Sequence, residues 1–383
     1  MSDIMPNTVT VLPVDQYNQT LVNHVHPHDW QNPTPVAPYD LVVIGAGTAG
    51  LVVAAGSAGL GIGLKIALIE KHLMGGDCLN VGCVPSKCLI SSARVVGDAW
   101  DADRLGVHIP KTEVDFPAVM ERMRQVRSGI SHHDSVQRFA DLGIDVFLGG
   151  GKFINDTTVE AGGAQLKFKK AVIATGARAV RPDIPGLAAA GFLTNETVFS
   201  LTECPPRLAV IGGGPIGCEL AQSFHRLGSK VVLLHKNAHI LDKEDPDAAE
   251  IIQQKLLEEG MQLELGMQLQ KVEVTPAGKV LTQICEEGIP ATAKAWPADP
   301  SPASETYHER AFGIFELPQR YIGTGGGSGR LGELIVRAGE TLELRHRGAT
   351  FPLPGMPREV IDNSIPGVDY PPHQPELWPT VES

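Results

Sequence analysis

YDLVVIGAGTAG, residues 39–50, carries the fold. Tyr39 to Ile44 is a short apolar run bounded by Pro38 and by glycine, the pattern of a buried parallel strand. It enters Gly45-Ala46-Gly47-Thr48-Ala49-Gly50, and Leu51 to Leu60 then reads as a helix of small residues. A second apolar run, Lys65 to Ile69, ends on Glu70, 25 positions after Gly45. Strand, glycine turn, helix, strand and acid in this order predict a dinucleotide-binding βαβ unit. The first glycine permits the tight turn, the second lets backbone approach a pyrophosphate, and the third lets helix pack on strand. The helix N-terminus offers N–H groups and a positive dipole to phosphate. Glu70 is expected to accept hydrogen bonds from a ribose diol.

Straight after Glu70 comes GGDCLNVGCVPSK, residues 75–87. Four residues separate Cys78 from Cys83. Tetrahedral zinc sites favour closer spacing and a second ligand pair, and the sequence has no comparable second pair. The leader, Met1 to Pro38, lacks the charged-then-apolar layout of a signal peptide, so a cytoplasmic, reducing location is expected. There a structural disulfide among the six cysteines is disfavoured. Dithiol–disulfide chemistry remains, with a low-pKa thiolate near a helix N-terminus. Lys87, one turn beyond Cys83, is placed to stabilise negative charge on a thiolate or a reduced flavin. No metal site is expected; His24, His26 and His28 of the leader read as a solvated segment on the surface rather than a metal-binding tail.

GGDCLNVGCVPSK resembles the active-site signature of the pyridine nucleotide–disulfide oxidoreductases, a family that includes dihydrolipoamide dehydrogenase, glutathione reductase and mercuric reductase. The resemblance implies FAD, with Cys83 against the flavin as the charge-transfer thiolate and Cys78 as the outer thiol that exchanges with substrate. Cys88 has no place in the signature and reads as a small buried hydrophobe. Residues 90–140 look helical, and Asp145 to Leu148 reads as a strand leading to Gly149-Gly150-Gly151. A hairpin turning at Gly162-Gly163 then leads to Ala171 to Ala177, which resembles the family's ATG strand. By that resemblance Gly151, Thr175 and Gly176 approach the flavin.

Leu208 to Ile211, Gly212-Gly213-Gly214-Pro215-Ile216-Gly217, a helix from Cys218 to Leu227 and a strand from Lys230 to Leu234 make a second βαβ unit. Gly212, Gly214 and Gly217 take the three glycine roles for a nicotinamide dinucleotide. Glu219 resembles the family glutamate that pairs with the signature lysine, here Lys87. The position of the ribose acid holds His235, followed by Lys236. An acid there favours NADH by bonding the 2′-hydroxyl. His235 and Lys236 remove its repulsion and are expected to admit the 2′-phosphate, so NADPH is the expected donor and NADH the alternative.

The expected fold class is α/β, an FAD-binding Rossmann-like fold (38–195) interrupted by an incomplete NAD(P)-binding Rossmann-like fold (196–282). A polar leader (1–37) precedes them, and an irregular Pro/Gly-rich region (283–383) follows. The leader motif HPHDW, LVVIGAGTAGLV (41–52) and TNETVFSLTECPPRLAVIGGGPIGCELAQ (194–222) are most similar to the mercuric reductase branch. That implies Hg(II) or another small-molecule substrate; a dihydrolipoamide dehydrogenase-like enzyme and a non-catalytic flavin-binding remnant are the alternatives. No cysteine precedes Cys78 or follows Cys285, so the branch's carrier and C-terminal cysteine pairs have no counterpart in the sequence. The resemblance implies a homodimer, yet no dimerisation domain is recognisable after Gln283. Residues 286–383 hold 13 of the 29 prolines, and 323–329 read GTGGGSG. A shifted reading frame and a substituted domain are the two readings of that region, and 331–350 is expected to form a hairpin. A net charge of -12 excludes partners that reward clustered Lys and Arg, nucleic acid and anionic membrane among them. No run approaches the roughly 18–20 apolar residues of a membrane helix.

Overall fold

The computed structural model describes residues 9–36, 38–275 and 278–285, with short strands at 294–295 and 335–337. The hairpin expected over 331–350, apart from that last strand, and the origin of 283–383 lie outside the described residues.

Chain order begins with α1 (Gln16–Val25), β1 (Tyr39–Ile44), α2 (Thr48–Gly59), β2 (Ile66–Glu70), α3 (Gly76–Val81) and α4 (Cys83–Asp101). It continues with α5 (Phe116–Ile130), α6 (Val136–Asp141), β3 (Ile144–Leu148), β4 (Lys152–Asn155), β5 (Thr158–Ala161) and β6 (Ala164–Ile173). Short helices α7 (Leu187–Ala190) and α8 (Asn195–Val198) lead into β7 (Arg207–Ile211), α9 (Pro215–Arg226), β8 (Lys230–His235), α10 (Pro246–Glu258) and β9 (Gln262–Leu265). The last elements are β10 (Met267–Thr275), β11 (Gly278–Cys285), β12 (Lys294–Ala295) and β13 (Ile335–Arg337).

The first sheet has the order β3-β2-β1-β6-β5-β4, with β13 running antiparallel on β6. β3, β2, β1 and β6 are parallel neighbours, so their carboxyl ends lie on one side. β5 and β6 form a hairpin with Ala161 opposite Ala164. Both residues of its turn, Gly162 and Gly163, have positive φ (+54° and +81°), which a two-residue hairpin of this twist demands. β7, β8 and β9 form a second parallel sheet, and β10, β11 and β12 an antiparallel one.

The two dinucleotide folds share a core. One buried cluster joins Leu89 and Ala93 of α4 and Met120 and Met123 of α5 to Leu208 and Val210 of β7, Leu233 of β8 and Leu220 and Phe224 of α9. α4, which starts at Cys83, thus reaches from the redox motif into the second fold. Gly97 leaves room for the Arg226 guanidinium, whose carbon would lie 2.7 Å from a Cβ there.

The leader is not the solvated segment expected. Asn18, Leu21 and Val25 form one buried stripe on α1, and both apolar residues join the core of the first fold with Val43, Leu68 and Phe139. Its polar groups are bound as well. Asp15 pairs with Arg124 at 2.5 Å, and Asn18 Oδ1 accepts from Arg127 Nη2 at 2.7 Å. Beyond α1 the chain covers the outer edge of β3. Trp30 Nε1 donates to Val146 O at 3.1 Å, while the Asn32 amide both donates to Leu148 O (3.0 Å) and accepts from Leu148 N–H (2.8 Å). Bare strand edges invite foreign pairing, and these contacts remove one. No helix among the described residues is long and apolar enough to cross a membrane.

Asn32→Ala removes both amide contacts while leaving a small residue. Two lost hydrogen bonds predict a destabilisation of about 1–3 kcal/mol, read as a lower urea midpoint at unchanged slope. An unshifted midpoint would mean that the edge contact carries no stability.

Candidate active site

The first glycine loop lies where β1, β2 and β6 end. Gly45 N–H donates to Ile69 O and Ala174 N–H to Ile44 O, both at 2.8 Å. Gly45 has φ +104°, and a Cβ on it would sit 2.2 Å from Ala174 O and 3.1 Å from Thr175 Cα. A Cβ on Gly50 would sit 1.8 Å from Gly45 O, so α2 packs against the turn without a side chain between them. Gly47 differs, since among the described residues a Cβ there would meet only Gly76 Cα within 4 Å, at 3.6 Å. No side chain caps the first turn of α2, which leaves its dipole and N–H groups to a ligand.

Glu70 is buried at the end of β2. Its Oε2 accepts from Ala46 N–H at 2.7 Å and its Oε1 from His72 N–H at 2.8 Å, which pins the carboxylate against the loop. Gly151 packs on the same strand ends, where a Cβ would lie 3.0 Å from Ile44 Cγ2. Gly176 has φ +68° and open space around it. Gly45, Gly47, Gly50, Glu70, Gly151, Thr175 and Gly176 therefore converge at the carboxyl ends of one parallel sheet. Ligands bind in that location in open α/β sheets.

The cysteine motif is fastened to this loop through backbone. Gly75 N–H donates to Ala46 O at 2.8 Å, and a Cβ on Gly76 would come within 2.6 Å of Gly47 Cα. Gly82 lets the chain turn from α3 into α4, with Asp77 O only 2.8 Å from the place of its missing Cβ. Cys83 then opens α4, whose first turn no side chain caps. Neither thiol is in a disulfide, and both are half-buried. The Cys83 thiol is pulled down to about 6, first because its thiolate accepts a hydrogen bond from Cys78. Burial opposes this, while its own backbone N–H and the Lys87 charge reinforce it. Cys78 is pushed up, by donating to Cys83, by burial and by the Cys83 charge; the Thr48 hydroxyl opposes the shift. At neutral pH the pair therefore holds one thiolate, on Cys83, and one proton, on Cys78.

Lys87 Nζ lies 2.9 Å from both carboxylate oxygens of Glu219. The two side chains are 60% and 41% exposed, so this pair orients Lys87 more than it stabilises the fold.

The second glycine loop repeats the first. Gly212 has φ +114°, a Cβ on Gly217 would lie 2.0 Å from Gly212 O, and Gly214 leads into α9 without a side-chain cap. His235, expected to face a 2′-phosphate, lies instead with its ring under this loop. It is 5% exposed, its Nδ1 accepts from Gly213 N–H at 3.0 Å, and its Nε2 faces Asp242 Oδ1 at 3.2 Å. Both ring nitrogens are thus engaged inside the protein. Lys236 is exposed.

Profile comparison matches residues 39–296 to the family described as Pyridine nucleotide-disulphide oxidoreductase. The chain belongs to this family. It is 36% identical to the mercuric reductase of Bacillus cereus over 235 residues, which cover 61% of this chain and 37% of that protein. It is 36% identical to the dihydrolipoyl dehydrogenase of Chlamydia muridarum over 244 residues, covering 61% and 51% of the two chains. Among solved structures it is similar to the HOCl-induced flavoprotein disulfide reductase RclA of Escherichia coli (TM-score 0.56, 28% identity, 72% of this chain and 56% of that one). The chain thus spans about half or less of the length of these curated relatives.

Three functional neighbours escaped the sequence reading of this family member. Thr48, inside the first glycine motif, bonds Cys78. Arg127 holds the end of α3 by donating to Asn80 O at 2.6 Å. Asp242 reaches His235. Thr48 lies inside a motif read for another purpose, Arg127 lies far along the chain from Asn80, and Asp242 is turned back toward His235 by the left-handed Leu241, so local spacing gave no signal.

The proton distribution has a direct consequence for alkylation. In the reduced protein, iodoacetamide labelling of the Cys78–Cys83 pair should rise with a midpoint near pH 6, well below that of an ordinary thiol. Peptide mapping across pH reads this out; a midpoint in the range of an ordinary thiol would mean that the pair holds no stabilised thiolate.

Proposed function

We propose that this chain is an FAD-dependent NAD(P)H:disulfide oxidoreductase of mercuric reductase-like type. It passes electrons from a nicotinamide dinucleotide to the Cys78–Cys83 pair and on to a disulfide or a soft metal ion such as Hg(II). The observation that carries this reading is the backbone contact of the cysteine motif with the first glycine loop, Gly75 N–H to Ala46 O at 2.8 Å.

The residues present fit the ADP half of FAD. The open side of Gly47, the uncapped turn of α2 and the pinned Glu70 carboxylate together suit a pyrophosphate and a ribose. The chemistry that FAD would supply there is acceptance of a hydride from the nicotinamide and two-electron reduction of the disulfide. The protein's own chemistry is thiol exchange. Cys83 takes the Cys78 proton through the hydrogen bond they share, which makes Cys78 the nucleophile. Cys78 attacks one sulfur of the substrate disulfide, and the first product leaves as a thiolate. Cys83 then returns its proton to that thiolate and attacks Cys78 sulfur, expelling the second product thiolate and forming the Cys78–Cys83 disulfide. One disulfide is consumed and one formed, and charge and protons balance. For Hg(II) the same two thiolates supply soft ligands to a soft ion. Lys87, oriented by Glu219, favours the Cys83 thiolate and would supply the same positive charge to a reduced flavin held beside it.

Purified protein is expected to retain FAD and to reduce a small disulfide with NAD(P)H, and Cys78→Ser is expected to abolish the second property only. Because a Cβ at Gly47 meets only ordinary contact, with Gly76 Cα at 3.6 Å, Gly47→Ala should weaken FAD retention with an unchanged far-UV spectrum. Full flavin retention in that variant would sink the assignment of the loop.

A further inference from the structure

Read along the chain, β8 ends without an acid; in the fold, one reaches its end from the following loop. The first glycine loop is pinned by Glu70, which accepts from Ala46 N–H at 2.7 Å. His235 pins the second in the same manner, accepting from Gly213 N–H at 3.0 Å. A Cβ on Gly213 would lie 2.9 Å from His235 Cγ, so ring and loop are in close contact. His235 thus supplies the structural part of an acid's role without its charge. An accepting Nδ1 leaves the ring proton on Nε2, and that position faces Asp242 Oδ1 at 3.2 Å.

The loop that carries Asp242 is built to point it there. Leu241 has φ +52°, the one positive φ outside glycine among the described residues, a conformation costly for a branched side chain. Its N–H donates to Gly213 O at 2.7 Å, which ties the loop to the glycine turn on the other side from His235. Asn237 Nδ2 donates to Asp242 Oδ2 at 2.6 Å. The Asp242 side chain is nonetheless 23% exposed, so one side of a fixed carboxylate remains open beside the strand end where an adenosine ribose lies in this fold.

We propose that Asp242, held by His235, is the acid that reads this ribose and sets a preference for NADH over NADPH. The inference rests on the second glycine loop binding a nicotinamide dinucleotide. A fixed carboxylate accepts from the 2′-hydroxyl and repels a 2′-phosphate. Lys236 and Lys243 flank the loop with the opposite charge, but both are exposed and solvated, whereas Asp242 is held by two hydrogen bonds. The fixed charge dominates.

Equilibrium binding of NADH and NADPH to the purified, flavin-loaded chain tests this without turnover. NADH is expected to bind roughly tenfold or more tightly, the effect of one charged contact. Asp242→Asn keeps the acceptor for His235 and removes the charge; it should move the ratio roughly tenfold toward NADPH. Lys236→Ala should leave the ratio nearly unchanged. Tighter NADPH binding by the parent protein overturns the proposal, as does a ratio that answers to Lys236→Ala and not to Asp242→Asn. Failure of both nucleotides to bind overturns it together with the reading of the second loop.

Discussion

The close approach of two backbones, at Gly47 and Gly76, is the constraint on which the site depends. A Cβ on Gly76 would come within 2.6 Å of Gly47 Cα, and the adjacent Gly75 N–H bonds Ala46 O. Because no side chain intervenes, the start of α3 lies directly on the turn that ends β1. Cys78 then falls within reach of Thr48, and Cys83 opens α4 a few residues later. The spacing of the cysteines matters only because this contact fixes where the motif begins.

From that point α4 carries the geometry into the second fold. Its buried face packs with β7, β8 and α9, and its exposed face brings Lys87 to Glu219. One helix therefore links the thiolate, the cation that stabilises it and the fold assigned to the electron donor. On the other side, the leader holds the arrangement from behind. Asn18 engages Arg127, which bonds the Asn80 carbonyl of α3, while Val25 O accepts from Met74 N–H beside the cysteine motif. His26 donates from Nδ1 to the His72 carbonyl in the same stretch.

Local patterns made most of this legible. YDLVVIGAGTAG and its counterpart at Leu208 to Gly217 join strand period, glycine spacing and helix start within a dozen residues, so both loops could be placed by counting. The hairpin at Gly162-Gly163 was readable for the same reason. His235 was counted to its correct place at the end of β8, but its ring direction depends on Gly213 N–H, and the count carries no such information. Asp242 was invisible because a left-handed Leu241 folds the loop back on the strand. The leader was misjudged on composition: its prolines and histidines suggested solvation, although Asn18, Leu21 and Val25 already lay on one helical face.

Anaerobic reductive titration of the purified, flavin-loaded chain tests the central claim, that Cys78 and Cys83 form a redox pair in electronic contact with the flavin site. The parent protein is expected to take up twice the electrons of Cys78→Ser before free reductant accumulates, one share for the flavin and one for the pair. Equal uptake by the two proteins would contradict it.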